Sequence, residues 1–486
     1  MLLPLATLLA SGLASGDSLL QIYEKAVHSD PLVREAEANR LATVEGRPIA
    51  RGALLPQVTA SGSYTKGKPE GKTTRTFSQV DQTSPTQDII TFTNTSDGID
   101  YTNKGWSLQI QQILFQWDAW KRLSQAGKAS SQADVDYQAS EQDLIVRVSE
   151  AYFNVLAAED SLASEQASKE AIARQLEQAK KRFEVGLIAI TDVQEAQSAF
   201  DSAAASEILA KRTLANQKEA LRAITDDYPQ TLAKPAEDLA LKNPDPSSED
   251  QWVDTAMRQN AKLISAQIGA EIAKDDVQIA RAGHYPSLSL VGTRTDTNNQ
   301  RDEFTQVQRG SLPPGPRQGP FPSGSNGVDD SIALQLAVPI FSGGSTSARV
   351  QQAVYRHRAA RERLERTARE TERQTRDAYL GVITDISRIQ ALKQAFESAK
   401  TALKATEAGY DVGTRTTVDV LAARRTVFSA ETNYLRSRYD YLINGLRLKQ
   451  AAGTLTADDI AQIDTLLTAT TGPATPAEAV TTPVAN

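Results

Sequence analysis

Cysteine chemistry is closed to this chain, which has no cysteine among its 486 residues. Disulfides, thiolate metal sites and thiol nucleophiles are therefore excluded. Three histidines, His28, His284 and His357, stand isolated in the sequence, too far apart to suggest a zinc site or a catalytic triad. Two glycine-lysine stretches invite a phosphate-loop reading. Gly62 to Gly67-Lys68 has the spacing but continues into Pro69, and Gly71-Lys72-Thr73 has only three residues back to Gly67. Both fall at a strand end or in a polar loop, without the following helix whose N-terminus a phosphate needs. No carboxylate pair, metal cluster or activated nucleophile emerges, so the chain reads as a non-enzyme without cofactor or metal. The polar residues that stand out do so by repetition. Asp192 lies in the stretch Arg182 to Gln194, and Asp419 in a second version of it, Gly409 to Leu421.

Val185-Gly186 and Val412-Gly413 stand 227 positions apart, as do Asp192-Val193 and Asp419-Val420. The chain is therefore built twice. Each glycine sits where a long helical pattern stops, and glycine takes the left-handed C-terminal position without steric cost. Thr191 with Gln194 predicts a capping box that restarts a helix. Each stretch is thus the tip of a helical hairpin. Before the first tip no proline occurs from Asp118 to Phe183, and Gly127 is the only glycine. Apolar or alanine positions fall at 144, 148, 151, 155, 158 and 162, then at 172, 176, 179 and 183. Steps of three and four make a coiled-coil seam, on a helix on the order of 100 Å long. A return helix runs from Thr191 to about Ala223.

In the second copy a helix from Thr346 to Tyr410 carries eight arginines between Arg356 and Arg376, interleaved with glutamates. Glu362 with Arg366, Glu365 with Arg369 and Glu372 with Arg376 have the favourable i,i+4 order. This reads as a solvated face rather than a nucleic-acid surface, in keeping with a formal net charge of -7 and 6% aromatics. In the last helix Leu421, Phe428, Leu435 and Leu442 recur every seven beside Val420, Val427, Tyr434, Tyr441 and Leu448. Two seams on one helix require more than one neighbour.

Upstream of the hairpins the pattern changes to strands. Ser18 and Gln21 cap a helix expected from Leu19 to about Ala53, ended near Pro56. Gln57 to Lys66 then alternates for about ten residues, the length of a transmembrane strand. A Thr/Ser/Asp/Asn-rich stretch, 67–104, leads to a second strand, Trp106 to Phe115. The second half repeats the order: a helix from Glu249 to Ala282, a strand from Ser287 to Thr293, a Pro-rich loop over 298–328, and a strand from Ser331 to Val338. Pro56 and Pro286 mark the strand entries; Phe115 and Phe341 mark the exits.

The expected organisation is a signal peptide over 1–16, a first repeat over 17–225, a connector over 226–248 and a second repeat over 249–455. A largely disordered C-terminal segment completes it, over 456–486. The N-terminal run resembles a secretory signal without a basic start. No other stretch has the roughly 20 apolar residues of a spanning helix, so a membrane is crossed by strands or not at all. Four strands cannot close a barrel, the smallest of which has about eight. Open edges in lipid leave backbone groups unpaired, so several chains must share one barrel.

The chain resembles the TolC family of outer-membrane channels from Ser18 to about Ile463. The resemblance rests on Glu150-Ala151-Tyr152-Phe153-Asn154-Val155-Leu156, Arg182 to Gln194, Glu407 to Leu421, Tyr441-Leu442-Ile443-Asn444 and Ala452-Gly453-Thr454-Leu455. It implies a mainly α fold with membrane β. Long coiled-coil helices would form a periplasmic α-barrel, and four strands per chain would join a homotrimer's twelve-stranded β-barrel in outer-membrane lipid. The implied function is export, as exit duct of a tripartite efflux pump or type I secretion system. A periplasmic adaptor and an inner-membrane RND, ABC or MFS transporter would be its partners, and nucleic acid would not. By the family's pattern Asp192 accepts from Tyr410 and pairs with Arg415, which also reaches Thr191, and Gln175 meets Glu407. These contacts latch the periplasmic gate. Asp419 matches the first of two entrance carboxylates; Ala422 occupies the second position, with Arg424 and Arg425 following. Gly186 and Gly413 fall where adaptors touch. A soluble coiled-coil scaffold and a passive general porin remain as alternatives.

Overall fold

A computed structural model describes residues 17–468 apart from 69–71, 84, 86, 98–99, 230 and 237–238. The run read as a signal peptide, and the tail beyond 468, lie outside the described residues. The chain divides into two units: Met1–Val44, Lys128–Glu271 and Arg358–Asn486 form the first, and Glu45–Gly127 with Ile272–His357 the second.

The elements in order are α1 (Leu19–Ser29), α2 (Pro31–Val44), α3 (Gly46–Gly52), β1 (Gln57–Gly67), β2 (Lys72–Val80), β3 (Ile89–Asp97) and β4 (Tyr101–Phe115). Then come α4 (Trp117–Glu184), α5 (Ile190–Thr225), β5 (Lys234–Pro235), α6 (Glu249–Gln259), α7 (Ala261–Ala282), β6 (Ser287–Arg309) and β7 (Gln318–Ala337). The described residues end with α8 (Ser345–Asp411), α9 (Thr417–Ala452), α10 (Ala457–Asp464) and β8 (Leu467–Thr468).

In the first unit the expected seam of α4 is buried at Leu144, Val148, Ala151, Val155 and Ala158, and again at Ile172, Leu176 and Ala179; Phe183 is exposed. Around Tyr152 and Phe153 the seam widens into the main core, joined by Leu19, Ile22, Leu221, Leu442, Leu446 and Ile460. Phe153 stacks on Tyr439 with centroids 5.8 Å apart. Buried phenols need partners. The Tyr152 hydroxyl donates to the Ala233 carbonyl at 2.7 Å, and that of Tyr439 donates to Asp160 at 2.6 Å. Burial pushes both phenols well above the usual tyrosine range. The other Asp160 oxygen takes Lys234 at 2.6 Å, so the segment joining the two repeats is pinned to this core. Residues 457–468, which composition assigns to a disordered segment, form α10 and the strand β8 that pairs with β5. Ile460 anchors α10 by complete burial.

Two long helices expected from periodicity are broken. The first becomes α1, α2 and α3. Asp30 is extended (φ -65°, ψ 119°) because the residue before Pro31 is kept out of helical backbone. The second breaks at Asn260, extended in the same way, whose Oδ1 accepts from the Leu263 amide at 3.1 Å and so caps α7. Asp30 and Asn260 stand 230 positions apart, as do Pro56 and Pro286, so the break belongs to the repeat. On α8, Arg369 with Glu365 and Arg376 with Glu372 form the expected pairs, at 2.9 and 3.2 Å. Glu362 and Arg366 make none among the described residues.

The second unit holds a six-stranded antiparallel sheet in which β1, β4, β6 and β7 pair in that order, and β2 pairs with β3. The β3 strand meets β6 over Phe304 to Arg309, on the edge that β4 uses lower down. Both stretches read as loops thus contain strand: 67–104 holds the β2-β3 hairpin, and β6 and β7 extend through most of 298–328. Pro320 and Pro322 demote a strand in sequence, but among the described residues β7 pairs only with β6 and an edge tolerates proline. Directly opposed residues share a face. One face carries Leu288 and Leu336, Leu290 and Leu334, and Ile110, Val58 and Ile332. The other carries Gln57, Gln111, Thr59, Gln109, Thr293 and Ser331. The apolar face is bare, with Ile332 84% exposed.

One ion cluster ties α4 to α5. Glu207, buried on α5, accepts from Lys169 of α4 at 2.8 Å and from Lys211 at 2.7 Å. Hydrogen bonds from the two ammonium groups pull its carboxyl down to about 2. A lowered carboxylate stabilises the fold above its unfolded value of about 4.3, and that contribution is lost as pH falls through the folded value. Denaturant unfolding followed by helical circular dichroism is therefore expected to show stability falling between about pH 4.5 and 2. In Glu207→Gln that part of the pH dependence is absent.

Candidate functional site

Both hairpin tips are closed by glycine in left-handed backbone. At the first, Gly186 has φ +77°, and the amides of Gly186 and Leu187 donate to the carbonyls of Phe183 and Arg182, each at 2.9 Å. At the second, Gly413 has φ +81° and the Thr414 amide donates to the Gly409 carbonyl at 2.8 Å. A Cβ at either tip glycine would meet nothing within 4 Å, so backbone conformation, not crowding, selects glycine. Val185, Leu187 and Val412 surround these turns and are mostly exposed.

The return helices start with a shared device. Asp419 is the third residue of α9. Its carboxylate accepts from the Thr416 amide at 2.9 Å, while its own amide donates to the Thr416 hydroxyl at 3.2 Å. This is a reciprocal capping box. The Thr416 amide first, then the Thr416 hydroxyl and nearby Arg415, hold the Asp419 carboxyl below the usual range. Asp192 occupies the same place on α5 and accepts from the Ala189 amide at 3.3 Å. The restart expected from Thr191 and Gln194 thus falls two residues earlier, because Asp192 itself supplies the cap. The two aspartates singled out by repetition have, within the chain, the same structural task.

The remaining gate residues are placed as follows. Tyr410 is 8% exposed. Its ring lies under the Arg182 guanidinium, 4.6 Å from carbon to centroid, and its oxygen is 3.5 Å from the Thr417 hydroxyl. Arg182 also approaches Asp411 at 3.9 Å. Glu407 accepts from Arg424 at 2.7 Å. Gln175 is buried, with its Nε2 unpartnered among the described residues of the single chain. Among the described residues of a single chain, neither Thr191 nor Arg415 makes a side-chain hydrogen bond or ion pair with Asp192. Tyr410 does not bond Asp192, nor does Gln175 bond Glu407.

Arg182, Asp411 and Thr416 have no assigned role in the sequence reading, and Arg424 enters it only as a charge near the entrance. Thr416-Thr417-Val418-Asp419 carries a visible capping-box signal. Arg182 and Asp411 meet only when the two hairpins pack, and no spacing within either reveals it.

The sequence profile described as outer membrane efflux protein matches residues 22–226 and 252–454. Outer membrane protein TolC of Vibrio cholerae is 37% identical over 468 residues, covering 95% of this chain and 98% of that one. Alkaline protease secretion protein AprF of Pseudomonas aeruginosa is 30% identical, covering 91% and 85%. The crystal structure of the outer membrane protein VceC from Vibrio cholerae shares the fold, with a TM-score of 0.66 at 19% identity over 90% of this chain and 96% of that one. With both repeats matched by one profile and relatives spanned nearly end to end, the chain belongs to the outer membrane efflux protein family.

Proposed function

We propose that this chain is the outer-membrane exit duct of a tripartite efflux pump or type I secretion system, working as a homotrimer. One observation carries the assembly: the sheet bares an apolar face, and among the described residues its strands β1 and β7 each have one unpaired edge. In lipid such edges must be satisfied by other strands, and three copies of β1, β4, β6 and β7 make twelve. The relatives support the export reading, since one is named for protease secretion and the family for efflux. Both cargo classes fit a duct that does no chemistry. An adaptor and an RND, ABC or MFS transporter would act on the tips, where Gly186 and Gly413 leave room for a partner helix.

Closure of the periplasmic end falls to the polar residues of the tips. Asp192 Oδ2 is held by the Ala189 amide, leaving Oδ1 available to the Arg415 guanidinium and Tyr410 hydroxyl of a neighbouring hairpin, with Thr191 beside it. Glu407 is already engaged by Arg424, so a bond from Gln175 has to compete with that pair. Three copies of Asp419 around an axis form the entrance ring and attract cations. Ala422 supplies no second carboxylate, and Arg424 and Arg425 offset part of the charge.

Single-channel recording of detergent-extracted protein in a planar bilayer tests this reading. The duct predicts small steps; large steady steps favour a passive porin, and folded protein that never inserts favours a coiled-coil scaffold. Replacing Tyr410 and Arg415 together is expected to raise the conductance, and an unchanged value would remove them from the gate. Under a salt gradient the channel is expected to show weak cation preference, reduced further in Asp419→Asn. Anion preference of the unaltered channel would discard the carboxylate ring.

A further inference from the structure

Duplication exposes one residue that the repeat does not keep. Phe183 and Tyr410 stand 227 positions apart, as do Glu184 and Asp411, so aromatic and acidic positions recur in both copies. Arg182 has Gly409 as its counterpart. The second copy has a local reason to lack a side chain there: a Cβ on Gly409 would lie 2.8 Å from Arg415 Cγ. In the first copy Arg182 instead reaches out of its own hairpin, over the ring of Tyr410 at 4.6 Å and towards Asp411 at 3.9 Å.

We infer that Arg182 is a cross-hairpin latch of the closed tip, holding α4 to α8 through the face of the Tyr410 ring. This rests on the duct reading above. The ring is almost wholly buried, and a cation over a desolvated ring is held more firmly than one at an exposed site. Asp411 is a secondary counter-charge, since its carboxylate is 70% exposed and exposed pairs contribute little. The Arg424–Glu407 bond joins α9 to α8, so a hold on Tyr410 is a hold on the whole second hairpin. Parting the hairpins at their tips requires Arg182 to leave the ring.

The ring, not the hydroxyl, carries this contact, which separates it from a latch that works through hydrogen bonding of Tyr410. In planar bilayers Arg182→Ala is expected to raise the open-state share by roughly 2- to 30-fold, the span of a cation-π contact. Arg182→Lys restores part of the closure. Tyr410→Leu opens the channel more than Tyr410→Phe, and the double variant Arg182→Ala with Tyr410→Leu opens it no more than the larger single change, because both remove one contact. Wild-type conductance in Arg182→Ala, or equal opening by Tyr410→Phe and Tyr410→Leu, overturns the latch. Circular dichroism and trimer migration check each variant. Should Arg182→Ala fail to assemble, Arg182→Gln, which keeps a polar helix-forming side chain without charge, replaces it with the same two outcomes. Absence of steps from unaltered folded protein overturns the duct reading and this latch with it; steps that ignore Arg182 overturn the latch alone.

Discussion

Backbone groups along the free edges of β1 and β7 must be hydrogen-bonded, and hydrocarbon offers them nothing. That requirement governs the rest. A sheet with Leu334, Leu336 and Ile332 bare on one face and Thr59, Gln109 and Ser331 on the other is stable neither alone in water nor alone in lipid. Both edges call for further strands, as the trimer proposed above supplies, and Pro320 and Pro322 lie beyond Ser323, the β7 residue level with the end of β1 at Gly67, where a missing donor is tolerated. The helices make the same demand in their own terms, with Ile208 and Leu209 of α5 largely exposed in the single chain.

Duplication solves a second problem, that of making two hairpins of matched length. Equal spacing puts Gly186 and Gly413, and Asp192 and Asp419, at corresponding places, and the same N-terminal carboxylate cap forms in both halves. Departures from the repeat are then informative. Arg182 against Gly409 is one: the side chain in one half and the space in the other each serve a contact that the opposite half lacks.

Much of this was legible in the sequence, for identifiable reasons. The seam of α4 and the tip glycines follow from backbone and periodicity, which are local. The apolar face of β1 and β7 follows from alternation. The break at Asp30 was also legible, since Pro31 announces it, but periodicity on both sides overrode the signal. Asn260 gave no such warning: its break depends on a side-chain cap and on a bond from Nδ2 to the Ala451 carbonyl, a residue almost two hundred positions away. The β2-β3 hairpin was hidden by polar composition, because its stability comes from pairing with β6 and from the Phe77–Phe92 stack rather than from a core. At the tips, repetition found the right aspartates, and the packing of hairpin on hairpin, which no single window contains, decided what they touch.

That packing weakens steadily toward the tip. Near the middle of α4 and α9, Tyr152, Phe153 and Tyr439 lie in a core with more than a dozen other buried side chains. Further along, Leu421 is the second hairpin's member of a small cluster with Ile172, Ala199 and Ala203, a contact on the order of 1.5–3 kcal/mol if fully buried. At the end, Leu176, Ala179, Val193 and Ala196 pack within the first hairpin alone, and the second is met there by Arg182 over Tyr410. Such a contact is of order 0.5–2 kcal/mol. Separating the tips therefore breaks far fewer buried apolar contacts than separating the hairpins at the Tyr152 core would. A partner that favours the open tip by a modest differential affinity can shift the first equilibrium without disturbing the second. Opening confined to the last turns is the motion this gradient of packing permits.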